Sequence, residues 1–285
     1  MSDAGTAPGP PVPELHPSER AVPDRLPGDL RAAVEAATTA RLFLPGGPAA
    51  YDTGSWLRLR ADHAAARDAV RSELDLSAPA LAGLVARHAP LVTETAAADA
   101  AAYLARPDLG RRLSAGSIRA LERLAAAAPG RTPADLAVVV GDGLSATAVE
   151  AHGPALVDAL LAGAASRGWG VREPIVLVRR CRVGILNELG PLLDADVVVL
   201  LVGERPGLAA ADSLSAYLAY RPCAGHTDAD RNLVSGIHGR GTPVGEATRR
   251  VLDLAGRLLV TRRSGVTVKE EIVAAGGRSL SDPAG

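Results

Sequence analysis

Three short, uninterrupted apolar runs constrain this chain more than any other feature: Asp135-Leu-Ala-Val-Val-Val140, Pro174-Ile-Val-Leu-Val178 and Asp196-Val-Val-Val-Leu-Leu-Val202. A run of this length without polar alternation is a strand buried on both faces. Helix patterns separate the three, at 145–167 and 183–193. Strands alternating with helices at such spacing require right-handed crossovers and a parallel sheet. In open sheets of that kind ligands lie beyond the carboxyl ends of the strands. The loops after Val140, Val178 and Val202 are therefore where function is to be sought. Further on, 213–220 fits either a fourth strand or a helix, and 245–260 reads as a long amphipathic helix.

The first half is different. Residues 1–28 hold seven prolines and almost no apolar periodicity, so they are expected to be a disordered tail. From there to residue 130 the patterns are helical: Asp29 as a cap, a stretch from Trp56 to Val70, then 96–106 and 117–128, ended by Pro129-Gly130. Only Arg41-Leu-Phe-Leu44 resembles a strand. The expected fold class is thus α/β. A helical N-terminal part (29–130) precedes a Rossmann-like, mostly parallel sheet with flanking helices (131–285).

Composition narrows the function classes. Apolar residues make up 47% of the 285 but aromatics only 2%, so the core must be built from Ala, Val and Leu. A formal net charge of -1 argues against a nucleic-acid module. No segment offers the roughly 20 continuous apolar residues of a membrane span, and the start has no signal-peptide pattern. Cys181 and Cys223 are the only cysteines, too few for a disulfide framework or a four-cysteine zinc site. A cytoplasmic protein with two reduced thiols is expected.

The loop after the first run, Gly141-Asp-Gly-Leu-Ser-Ala146, is a G-x-G-x-x-A between strand and helix. That context suits a dinucleotide, whose pyrophosphate would approach a helix N-terminus. The acid that should end the second strand is missing; Arg179-Arg180 stands there instead, which leaves an NADP-linked reductase as an alternative. A plain tight turn, with Asp142 capping the helix, is the other reading of the loop. After the third run, Gly203-Glu-Arg-Pro-Gly-Leu208 places Glu204 and Arg205 at the sheet edge beside a Pro-Gly turn. His238-Gly-Arg-Gly241 resembles half of a signature in which histidine ligates cobalt, D-x-H-x-x-G. Gly236 stands where that signature has Asp, so the carboxylate that would orient His238 is absent and a turn or packing role fits it better. No H-E-x-x-H, G-x-S-x-G or P-loop pattern occurs, no histidine pair has metal-ligand spacing, and Glu270 and Glu271 sit in a polar, solvated tail. No residue is assigned a catalytic or metal-binding role.

Several of these segments together resemble one family. Ser55-Trp-Leu-Arg-Leu-Arg-Ala-Asp-His-Ala64, Val138-Val-Val-Gly-Asp-Gly-Leu-Ser-Ala146 and Gly203-Glu-Arg-Pro-Gly-Leu208 look like the small subunit of ethanolamine ammonia-lyase. Asp212-Ser-Leu-Ser215, Tyr220-Arg-Pro222, Asp230-Arg231, Ile237-His238 and Gly241-Thr-Pro243 do so too. The resemblance runs in order over about residues 30–268. It departs at Arg41-Leu-Phe-Leu-Pro-Gly-Gly-Pro48, where relatives have a run rich in Gly and Arg. It implies a carbon–nitrogen lyase that converts ethanolamine to acetaldehyde and ammonia with adenosylcobalamin, held with its benzimidazole on cobalt. A large subunit would hold ethanolamine and the catalytic residues; the small one would complete the cobalamin site between them, without activity alone. A non-catalytic scaffold that has lost cobalamin is a further alternative. The corrin contacts implied fall on Val183, Glu204 and Leu233, the last being Cys in some relatives, so that only a backbone or apolar contact carries over. The family forms a large assembly of paired large and small subunits. The resemblance leaves encapsulation in a bacterial microcompartment open.

Overall fold

The computed structural model describes residues 28–38, 42, 46–47, 50–127 and 132–270. The Pro-rich tail up to residue 27, most of 41–48, the Pro129-Gly130 stop and Glu271 lie outside these residues. The chain divides at Leu42 into two compact units. In the first, helix α1 (Gly28–Ala37) buries none of its side chains, and Arg31 and Glu35 pair one turn apart along it.

The second unit opens with two paired dipeptides, β1 (Gly46–Gly47) and β2 (Ala50–Tyr51), and with α2 (Thr53–Arg71). Asp52 starts α2 because its carboxylate accepts from the Ser55 N–H at 2.7 Å, filling one of the orphan donors of a helix start. Trp56 and Leu57 stand exposed on α2, with the Arg60 guanidinium stacked 4.7 Å above the indole. Then come α3 (Pro79–His88), β3 (Leu91–Glu94), α4 (Ala100–Ala105) and α5 (Ala115–Ala126).

The central layers follow as β4 (Ala134–Gly141), α6 (Ala146–Ser166), β5 (Val171–Arg179), α7 (Leu186–Leu193) and β6 (Ala195–Gly203). The chain ends its described part with β7 (Leu214–Tyr220), β8 (Asn232–Ile237) and α8 (Val244–Thr261). Six strands make one mixed sheet, in the order β3-β5-β4-β6-β7-β8. The pairs β3–β5, β5–β4 and β4–β6 are parallel, whereas β6–β7 and β7–β8 are antiparallel.

The three apolar runs are the three central strands. Pro174 falls inside β5, three residues after its start, at the point where the β4–β5 register shifts between Ala137 and Val139. A proline without an N–H is accommodated at such an irregularity. The ambiguous run 213–220 is a strand. Asp29, read as a cap, lies inside the first turn of α1, and Leu91–Glu94, read as part of a helical half, is a strand on the sheet's edge. It has four residues, and Thr93 is fixed there by donating its hydroxyl to the Leu177 carbonyl at 2.9 Å.

Helices cover both faces. Leu81 and Leu84 of α3, Leu156 and Leu160 of α6, and Val251 and Leu258 of α8 close over Val138, Val140, Val197 and Leu201. On the other face Leu121 of α5 and Leu186 and Leu189 of α7 close over Val139, Val178, Val198 and Leu200. The expectation of a core made from small aliphatic side chains holds: Tyr103 is the only fully shielded aromatic among the described residues. Trp169 is half-buried against the α3–α6–α8 layer. Glu270, read as solvated, instead takes a two-pronged ion pair from Arg250 of α8 at 2.5 and 2.8 Å. Both cysteines are free, Cys181 buried and Cys223 exposed. Among the described residues no helix is long and apolar enough to cross a membrane.

Candidate functional site

The loop after β4 leads into α6 on one face, and the loop after β5 into α7 on the other. Diverging connections of this kind leave a crevice at the carboxyl edge of a sheet. A cleft of about 250 Å³ lies there, bounded by Gly143 and Leu144 after β4, Cys181 to Val183 after β5, and Val202 to Arg205 at the end of β6. Val183, Glu204 and Leu233 all line it, although 50 residues of sequence separate the first from the last. Val183 begins a short 3-10 turn that leads into α7, and Leu233 is an exposed side chain on β8.

Glu204 is held by its own chain. Its carboxylate accepts from the Ser213 hydroxyl at 2.7 Å, the Ser215 hydroxyl at 2.5 Å and the Gly236 N–H at 2.9 Å. Its own N–H donates to the Ser213 carbonyl at 2.9 Å. An ionised carboxylate has about four acceptor positions, so roughly one stays available to a ligand. Sequence reasoning missed the two serines. Their signal is the period of two along β7: Ser213, Ser215 and Tyr217 share the cleft-side face, while Leu214, Ala216 and Leu218 enter the core. Leu233 and Ser235 repeat the pattern on β8, where Leu233 pairs with Tyr217. The antiparallel half of the sheet therefore makes the floor of the cleft, and the loops of the parallel half make its wall.

That wall is braced by Asp142 and Tyr103. The Asp142 carboxylate accepts the N–H groups of Arg180 at 2.7 Å and Cys181 at 2.9 Å, tying the loop after β4 to the loop after β5. On the tight-turn reading of the loop Asp142 caps α6; Ser145 does so instead, accepting the Ala148 N–H at 3.2 Å, because the aspartate is drawn sideways to two otherwise orphaned amides. Burial pushes the Asp142 carboxyl up, against the opposing pull of those N–H donors. The Tyr103 hydroxyl lies 2.5 Å from the Gly143 carbonyl and 2.7 Å from that of Cys181, joining the same two loops, and burial raises its phenol. The Arg182 guanidinium stacks on the Tyr103 ring, 4.3 Å from its centre.

The G-x-G-x-x-A loop serves packing. Gly143 has a φ of +61° and a Cβ there would stand 2.2 Å from the Gly203 carbonyl oxygen, so only glycine fits. The Leu144 N–H, which a pyrophosphate would need, donates instead to that carbonyl at 3.0 Å. Arg180 is likewise engaged, by Glu94 and the Ala97 carbonyl, both at 2.7 Å. The close approach that Gly143 permits is thus to the end of β6, and that of Gly141 is to the Cys181 side chain, so the dinucleotide reading finds no seat. His238 lies in the turn after β8, its Nδ1 accepting from the Arg240 N–H at 3.3 Å, and it lines neither this cleft nor the larger cavity beside it.

Among the described residues no cluster of three or more His, Cys, Asp or Glu could hold a metal ion. A mixed sheet sandwiched by helices, with a braced cleft at the carboxyl edge of its parallel strands, defines an α/β protein. Comparison with known proteins carries this to a family. Residues 29–269 match the model of the ethanolamine ammonia-lyase light chain (EutC). The ethanolamine ammonia-lyase small subunit of Bradyrhizobium diazoefficiens is 43% identical over 256 residues, 89% of this chain and 94% of that one. That of Xanthomonas campestris pv. campestris is 43% identical over 250 residues, 87% and 90% of the two chains. For Pseudomonas putida the figure is 42% over 234 residues, 82% and 85%. The chain belongs to the ethanolamine ammonia-lyase light-chain family.

Proposed function

We propose that this chain completes the adenosylcobalamin site of an ethanolamine ammonia-lyase, against a large subunit that holds ethanolamine and the catalytic residues. When bound, that cofactor supplies a radical from its cobalt–carbon bond, and a protein in this position supplies binding and orientation. The observation that carries the reading is the convergence of Val183, Glu204 and Leu233 on one cleft. The cleft's chemistry fits a corrin edge. Leu144, Val183, Val202 and Leu233 offer apolar surface to the macrocycle, and Glu204 has acceptor capacity left for the N–H of a peripheral amide.

The role of each residue follows from its mounting. Glu204 is oriented before any ligand arrives, so little side-chain freedom is lost on binding. Val183 sits on the turn that Asp142 and Tyr103 position. Leu233 presents an apolar side chain from a paired strand. Helices on both faces and a crevice between diverging loops support a Rossmann-like description of the parallel half. Residues 131–285 contribute the three candidate contacts, while the segment before them supplies Tyr103 to the rim.

Reconstitution tests the proposal. The purified chain, the large subunit and adenosylcobalamin are combined singly, in pairs and together, and ethanolamine consumption is followed. Turnover is expected only with all three. Turnover by the chain alone, or by the two subunits with undiminished rate in the absence of cofactor, would overturn it.

A further inference from the structure

Helix α2 is turned the wrong way round for a surface helix, which ordinarily keeps its large apolar side chains toward the core. It packs against α6, yet of its 19 residues only Ser55 and Ala69 are buried. The bulkiest apolar side chains point outward: Trp56 is 48% exposed and Leu57 54%. Trp56, Leu59, Arg60, His63, Ala64 and Arg67 recur at the three- and four-residue spacing of one helix face, so they make a single stripe. Tyr51 of β2 and Leu208 of the loop after β6 flank it, and the whole lines a groove of about 490 Å³.

The groove is also cationic. Two guanidiniums and an imidazole line it, and among the described residues no carboxylate does. Arg67 makes no hydrogen bond or ion pair with any described residue, and Arg60 is committed only to the Trp56 ring. The stripe thus has an apolar end at Trp56 and Leu59 and a basic end at Arg67, about 16 Å further along the helix axis. An apolar patch rimmed by charge marks a contact surface. One loop makes the groove continuous with the cleft: Glu204 and Arg205 line the cleft, and Leu208, three residues on, lines the groove. That loop has a fixed shape, because the Gly207 N–H donates to the Ala210 carbonyl at 2.9 Å and Arg240 to the Ala209 carbonyl at 3.2 Å.

We infer that the α2 groove docks an acidic amphipathic helix of the large subunit; this rests on the function proposed above, in which that subunit lies against the cleft. A body covering the cleft meets Leu208 next, and α2 lies beyond Leu208. A helix is the element that can follow a stripe for three turns, and the small Ala64 in mid-stripe lets its backbone come near. Apolar side chains on one turn of the incoming helix fill the end at Trp56. Carboxylates one or two turns further on meet Arg60 and Arg67, whose planar forks suit them. A second copy of this chain fits the face poorly. An isologous contact would bring together two guanidiniums from each copy with no carboxylate between them.

Association of the full chain with the purified large subunit, read by sedimentation and calorimetry rather than by turnover, tests this. Trp56→Ala should weaken it by about 10- to 100-fold. Arg67→Glu should weaken it by about 3- to 30-fold and flatten its dependence on salt. Both positions are exposed, so the melting temperature of each variant alone should match wild type. Arg263→Glu, an equally exposed charge beyond α8, should leave association unchanged. Hydroxyl-radical labelling of Trp56 should fall when the complex forms. Unchanged association in both groove variants, or undiminished labelling of Trp56 in the complex, would overturn the inference while leaving the cofactor reading in place. Loss with Trp56→Ala but none with Arg67→Glu would overturn the acidic character of the partner. If Trp56→Ala instead dissolves a homodimer of the chain alone and spares binding of the large subunit, the face belongs to a second copy and the inference fails. If the wild-type chain does not associate with the large subunit at all, it is the function proposed above that falls.

Discussion

Glu204 faces the cleft with three of its acceptor positions already taken, and this sets what its substitution does. Glu204→Ala removes the proposed ligand contact and also strands Ser213, Ser215 and the Gly236 N–H. A hydrogen bond to a charged group contributes roughly 1.5–3 kcal/mol, so the apparent cobalamin KM should rise by about 10- to 150-fold with kcat at saturation near normal. The melting temperature should fall as well. Glu204→Gln keeps an acceptor for β7 and β8, so it should restore the melting temperature but only part of the cofactor affinity. A wild-type KM in both variants would reduce Glu204 to a fastener between strands. Asp142 is a different case. Its carboxyl is raised by burial, so its stabilising contribution is complete below the unfolded value and is lost as pH rises through the folded one. The stability difference between wild type and Asp142→Asn, measured by denaturant titration, should therefore shift toward the variant as pH rises above about 4. A pH-independent difference would show that the carboxyl titrates alike in both states. Glu204 was legible in the sequence because a strand's end announces it. Ser213 and Ser215 are legible only once 213–220 is known to be a strand, since alternation means nothing in a segment that also fits a helix. Tyr103 reaches the cleft from a helix about 80 residues before Val183, and no local pattern signals that.

At the scale of elements, α7 is the weak link that the cleft depends on. It has eight residues, and the turn carrying Val183 leads straight into it. A helix this short owes its stability to packing rather than to its own hydrogen bonds. Leu189 is fully buried between α7 and the sheet, so Leu189→Ala should destabilise the protein by about 2–5 kcal/mol. Hydrogen exchange should accelerate through residues 183–193 before it does in β4 or β6. If protection there stays equal to that of the central strands, α7 is not a separately opening unit. The same reasoning explains which elements sequence reveals. β4, β5 and β6 are buried on both faces and therefore write long apolar runs. β3 is four residues on an edge, with Val92 exposed, and carries no such signature. Its place is fixed by the neighbouring strand and by Thr93.

For the whole molecule, the family match spans 29–269 and so excludes the Pro-rich start. Removing residues 1–27 should leave the melting temperature and the activity of the reconstituted complex unchanged; a large loss of either would show that this segment is docked. The chain also holds only two tryptophans, and they are mounted in opposite ways. Trp169 is half-buried against the α3–α6–α8 layer, whereas Trp56 stands out from α2 beneath a stacked arginine. The molecule thereby carries two optical reporters that do not overlap. In a Trp56→Phe variant the remaining emission follows loss of the core, and in a Trp169→Phe variant it follows whatever comes to lie against α2, so unfolding and association can be timed independently with no label attached.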